Sequence, residues 1–101
     1  MKKNERLDNI ENMENIFNEL NSALEDMWKS FKMRKSLSPK LKKLMKYYDS
    51  DQRKNDYDDV NNGKLKPKWP HWILSEDTLY DFYQNQKELY SEIKRFINKF
   101  L

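Results

Sequence analysis

Residues 10–31 read Ile10-Glu-Asn-Met13-Glu-Asn-Ile16-Phe17-Asn-Glu-Leu20-Asn-Ser-Ala23-Leu24-Glu-Asp-Met27-Trp28-Lys-Ser-Phe31. Ile10, Met13, Phe17, Leu20, Leu24, Met27 and Phe31 recur at alternating steps of three and four, an unbroken seam over three heptads. Ile16, Ala23 and Trp28 flank the seam and widen it toward the stripe of a globular helix. No Pro or Gly interrupts residues 4–34. Acids gather first (Glu5, Asp8, Glu11, Glu14) and bases last (Lys29, Lys32, Arg34, Lys35), as the helix dipole favours. The stretch predicts one helix of about 30 residues, about 45 Å long at ~1.5 Å per residue.

The C-terminal segment repeats this plan. Ser75 followed by Glu76 and Asp77 reads as an N-cap with acids in the first turn. Leu79, Phe82, Gln86, Leu89, Ile93, Phe96 and Phe100 then keep the three-four spacing, with Tyr83, Tyr90 and Ile97 alongside. Lys94, Arg95 and Lys99 close it. Two long helices with one apolar stripe each are expected to pack together, in either relative direction. Leu24 on the first and Leu89 or Ile93 on the last are the expected centres of that core.

The middle of the chain is mixed. Ser38-Pro39 reads as an N-cap and first-turn pair for a short helix carrying Leu41, Leu44, Met45 and Tyr48 on one face. Residues 49–60 are acidic, with room for one or two further helical turns before Asn61-Asn62-Gly63 stops them. Pro67 and Pro70 exclude a helix over 64–74. An extended strap is expected there, with Leu65, Trp69 and Ile73 covering the helix pair. A single Val and a single Thr argue against a sheet. The expected fold is all-α: two long amphipathic helices packed together with a short middle helix and an extended Pro/Trp strap, in one domain over residues 1–101.

Composition agrees with a folded chain and removes many activities. Mean hydropathy is low, at −1.19, yet aromatics make up 14% and net charge is only +3, an unusual combination for disorder. The single Gly63 cannot supply a dinucleotide fingerprint or a phosphate loop. With no Cys and one His, neither a zinc ribbon, nor a thiol nucleophile, nor a His-pair metal site can be built. The opening Met-Lys-Lys-Asn-Glu-Arg runs into a polar pattern, so no signal peptide is expected, and no apolar run approaches membrane-spanning length. The sequence therefore predicts a cytoplasmic protein with no catalytic residue, no cofactor and no metal.

Several features are candidate sites. Lys29, Lys32, Arg34, Lys35, Lys40, Lys42, Lys43 and Lys46 form a run of eight bases without an acid. Such a run can neutralise phosphates, with neighbouring aromatics stacking on bases. It reads more simply as a solvated face, given that each long helix ends basic. Asp49, Asp51, Asp56, Asp58 and Asp59 offer carboxylates, but an EF-hand register from Asp58 puts Val60 and Trp69 at ligand positions and fails. His71 has no nucleophile and fixed carboxylate partner to make a triad. Pro67-Lys-Trp-Pro70 matches the P-x-x-P spacing, although two Trp beside two Pro suit a packed cover better. Tyr47, Tyr48, Trp69 and Trp72 are the amphipathic side chains best suited to anchor a protein partner.

The strings Leu41-Lys-Lys-Leu44, Tyr47-Tyr48-Asp-Ser50, Asp56-Tyr57, Gly63-Lys64-Leu65 and Leu74-Ser75-Glu76-Asp77-x-x-Tyr80 resemble a family of small bacterial proteins, domain of unknown function 4298. The likeness covers nearly the whole chain and implies a helical fold without an assigned chemistry. Two departures stand out. Arg53 and Lys54 occupy positions soon after Ser50 where an aromatic is expected, and the strap Lys66-Pro-Lys-Trp69-Pro-His-Trp72 is longer and more aromatic than expected.

The functional expectation is a non-enzymatic interaction protein, a small adaptor or inhibitor that occupies a surface of an unidentified partner protein. The alternative is a nucleic-acid-binding accessory using the Lys29–Lys46 run. A monomer is expected, with a symmetric dimer as its competitor.

Overall fold

The computed structural model describes residues 2–101, apart from the side chain of Trp72. Four α-helices, α1 (Lys3–Ser36), α2 (Ser38–Tyr48), α3 (Asp51–Asn61) and α4 (Glu76–Phe100), and one 3-10 turn (Trp72–Leu74) account for the regular structure, with no strand among the described residues. The fold is all-α. The chain divides into two compact units, Met1–Leu41 and Lys42–Leu101, each described on its own.

The first unit is essentially α1. At its start the Glu5 carboxylate accepts the backbone N–H of Lys2 at 3.3 Å, satisfying a donor that no helical carbonyl can reach. At its end Leu37 stays in the right-handed helical region and donates to Met33 O at 3.1 Å. The chain therefore passes from α1 to α2 with only Leu37 between them. Ser38 is not the expected N-cap. It lies inside the first turn of α2, where its hydroxyl accepts from Arg34 Nη1 at 3.0 Å and donates back to Arg34 O at 3.4 Å. The reason is local: an N-cap needs extended backbone before the helix, and Leu37 never leaves helical geometry. Pro39 is tolerated because its missing N–H falls in the first turn.

No residue of α1 is buried. The seven seam residues are 51–66% exposed, Leu24 among them at 52%. Leu24 is thus no core centre within its unit, because the first turn of α2 is too little chain to cover a stripe that long. Short-range contacts order the seam's end instead. Trp28 and Phe31 meet edge-to-face at 6.2 Å, with Lys32 over Trp28 and Lys35 over Phe31.

The second unit holds the core. Leu79 at 3% exposure and Leu74 at 7% are its buried apolar residues, and Arg53 at 6% is buried beside them. Leu44, Met45, Tyr47, Tyr48, Val60, Ile73 and Tyr83 are half-buried around that centre. Ser75 caps α4 as expected, its hydroxyl accepting the Asp77 N–H at 3.3 Å. The α4 stripe is buried only near its N-terminus. Leu89 and Ile93, expected as core centres, remain 56% and 40% exposed.

The acidic middle stretch forms three full turns rather than one or two. Ser50 is its N-cap and accepts the Arg53 N–H at 3.4 Å. Gln52 donates to Asp56 at 2.8 Å across one turn. At the C-terminal end Gly63 takes φ +77°, a conformation that favours glycine. Its N–H then bonds Val60 O, and the Lys64 N–H bonds Asp59 O, closing a Schellman motif. Beyond it, residues 64–71 are irregular, and Leu65 and Trp69 point outward at 47% and 69% exposure. The strap's buried anchor is Leu74, delivered by the 3-10 turn in which the Leu74 N–H bonds His71 O.

Candidate functional site

The polar centre of the second unit is built on Arg53. From the first turn of α3 its Nε donates to Tyr48 O at 2.7 Å and its Nη1 to Leu74 O at 3.1 Å. The guanidinium carbon lies 4.9 Å from the centre of the Tyr48 ring. Nη2 is 3.9 Å from the Glu76 carboxylate, which is itself 79% exposed. One side chain thus closes the end of α2, the turn before α4 and the first turn of α4 around itself. The planar fork suits this task, since two donors on one rigid group reach two carbonyls at once.

Tyr47 and Tyr48 serve the same junction. The Tyr48 hydroxyl donates to Glu76 O, and the Tyr83 hydroxyl donates to Met45 Sδ. The Tyr47 hydroxyl donates to Asp56 Oδ2 at 2.5 Å. Burial, then the hydrogen bond to Asp56 and its negative charge, push the Tyr47 phenol from 10.0 up to about 12, with Arg53 opposing. The sign is that of a group whose folded pKa is raised. Its contribution to stability is complete below about pH 10 and disappears as pH rises through about 12. Tyrosinate absorbance of Tyr47→Phe and the unmodified chain, titrated through this range, is expected to assign the latest-ionising phenol to Tyr47. A titration in which the two curves differ only at ordinary tyrosine pH would contradict this.

Two of the four expected partner anchors, Tyr47 and Tyr48, are therefore half-buried with their hydroxyls engaged inside the unit. Trp69 stands exposed on the strap, and the Trp72 side chain lies outside the described residues. Lys29, Lys32, Lys35, Lys40, Lys42, Lys43 and Lys46 are exposed, and Arg34 is half-buried against Ser38. Beside Arg53 lies a shallow cleft of about 500 Å³ between α3 and the start of α4. Lys54, Asp58, Glu76 and Asp77 line it, so charges of both signs face one another there. Ser75 lines it too, its hydroxyl accepting the Asp77 N–H as the cap of α4. Among the described residues, no group of three His, Asp or Glu side chains converges to hold a metal ion, and no helix is long and apolar enough to cross a membrane.

Sequence reasoning missed Arg53. A base in an acidic stretch looks like a solvated charge, and the signal that could have found it is that it stands soon after Ser50, where the family resemblance leads one to expect an aromatic. The two most distinctive motif strings meet at this residue: Tyr48 of Tyr47-Tyr48-Asp-Ser50 and Leu74 of Leu74-Ser75-Glu76-Asp77 give it their carbonyls. Comparison with known families matches residues 10–96, a span containing both strings, to domain of unknown function 4298. The chain belongs to this family. No curated protein and no solved structure matches it. In this DUF4298 chain both strings serve the junction itself: their serines cap α3 and α4, and their carbonyls hold Arg53.

Proposed function

We propose that this chain is a non-enzymatic protein–protein interaction module, a small adaptor or inhibitor that works by occupying a partner surface. The observation that supports it is the apolar stripe of α1, exposed from Ile10 to Phe31. Contiguous apolar patches beyond roughly 300–600 Å² are uncommon on monomers and mark interaction surfaces. The exposed Trp69 on the strap of the second unit adds an amphipathic anchor of the type that dominates binding energy. The reading keeps the cytoplasmic location expected from the sequence. The nucleic-acid alternative draws its support from the exposed lysines between Lys29 and Lys46.

Affinity capture with the tagged chain tests the reading, using Trp69→Ala and the triple variant Lys40→Glu, Lys42→Glu, Lys43→Glu. Trp69→Ala is expected to weaken retention of a captured protein about 10-fold or more. The triple reversal should alter mainly the association rate. Sub-micromolar oligonucleotide binding that falls steeply with salt and vanishes in the triple variant would instead establish the alternative.

A further inference from the structure

We infer that the α1 stripe is covered by α1 of a second copy of this chain, running antiparallel; this rests on the reading of that stripe as an interaction surface and names what covers it. Seven seam residues with Ile16 and Trp28, each about half to two-thirds exposed, offer on the order of 800 Å² of apolar surface per copy, the area a stable dimer needs. α1 spans about 51 Å at ~1.5 Å per residue, so two copies aligned on their centres overlap along the whole seam.

Charge selects the direction. Residues 5–19 carry Glu5, Asp8, Glu11, Glu14 and Glu19 against one Arg, whereas residues 29–35 carry Lys29, Lys32, Arg34 and Lys35 and no acid. A parallel copy would set acid beside acid and base beside base. An antiparallel copy sets each acidic half against the basic half of the other, and as a two-fold pairing it closes on itself without exposing a further seam. Of these charges only Glu14 and Lys35 lie beside the seam, and Asp8 and Lys29 share the opposite face with Ser22, so the direction rests on the opposed net charge of the two halves while the apolar residues provide the affinity.

Sedimentation equilibrium of the full chain between about 1 and 100 µM, a range that brackets micromolar association, is expected to give twice the 12.5 kDa chain mass. Leu20→Glu, at a residue 66% exposed in the single chain, should return the mass to monomer with the amide-exchange protection of α3 and α4 retained. Ser22→Glu, on the opposite face of the heptad, should leave the dimer intact. The chain has no cysteine, so direction can be read cleanly. Asn9→Cys and Ser30→Cys chains, mixed and treated with a short bis-maleimide, should cross-link to each other and not to themselves. Self-cross-linking of either variant alone overturns the antiparallel arrangement. A monomer mass throughout overturns the dimer, giving the seam to a segment of the same chain or to a foreign protein. A monomer that still retains a foreign protein through Trp69 overturns this inference alone and leaves the interaction-module reading standing.

Discussion

Arg53→Ala is expected to destabilise the second unit by about 3 kcal/mol, the range for removing charge-assisted hydrogen bonds from a buried site. The ion pair contributes little to that figure. Glu76 is 79% exposed and 3.9 Å from Nη2, and solvent-screened pairs of this kind are worth roughly 0–1 kcal/mol. The cost comes from the two carbonyls. Leu74 is buried and Tyr48 half-buried, so the oxygens that accept Nη1 and Nε lose their partners where water has poor access. Arg53→Lys should recover only a small part, because a single ammonium cannot reach both oxygens in the fixed geometry of the fork. Glu76→Gln should shift stability by less than about 1 kcal/mol. Because α1 contributes helical signal of its own, amide hydrogen exchange at α3 and α4 is the measurement that reads the second unit separately. Unchanged protection of α3 in Arg53→Ala would mean the carbonyls are satisfied without it.

The parts of this fold that were legible in the sequence are those that depend on one helix at a time. Periodicity gave α1 and α4 to within a few residues, since an apolar stripe and a dipole-matched charge gradient are properties of the segment itself. The Ser75 cap was legible for the same reason, and Gly63 as a stop needs only a left-handed φ. α3 was not legible at full length. Its 11 residues include only Tyr57 and Val60 as apolar members, so no stripe announces it. It is held by end caps and by the tertiary bonds of Arg53 and of Asp56 with Tyr47. The strap failed differently. The prolines do keep α-helix out of residues 64–71, but composition could not tell which apolar residue turns inward, and the 3-10 turn gives that place to Leu74 rather than Trp69. At the candidate site, Tyr47 and Tyr48 were recognisable as amphipathic. Whether such a residue faces a partner or its own unit is decided by the hydroxyl's neighbours, which lie 9 and 28 residues away along the chain.

Leu79→Ala is expected to cost about 3 kcal/mol, whereas Leu24→Ala, measured where the chain is monomeric, should cost less than about 1 kcal/mol. Periodicity alone ranks them the other way, since Leu24 sits mid-seam in the longest apolar pattern. Burial reverses the order. Leu79 is 3% exposed in the first turn of α4, beside a core whose other buried apolar residue, among those described, is Leu74. Truncation there removes transfer energy and leaves a void that Arg53 and the half-buried tyrosines, fixed by their hydrogen bonds, cannot readily fill. Leu24 is already 52% exposed, so its truncation opens no cavity. Urea denaturation at sub-micromolar concentration, with exchange protection followed in α3 and α4, compares the two directly. A larger loss for Leu24→Ala under those conditions would show that the α1 stripe is covered within a single chain. A loss for Leu24→Ala that grows only as concentration rises is what an antiparallel pair of copies requires, because mass action then couples the seam to stability.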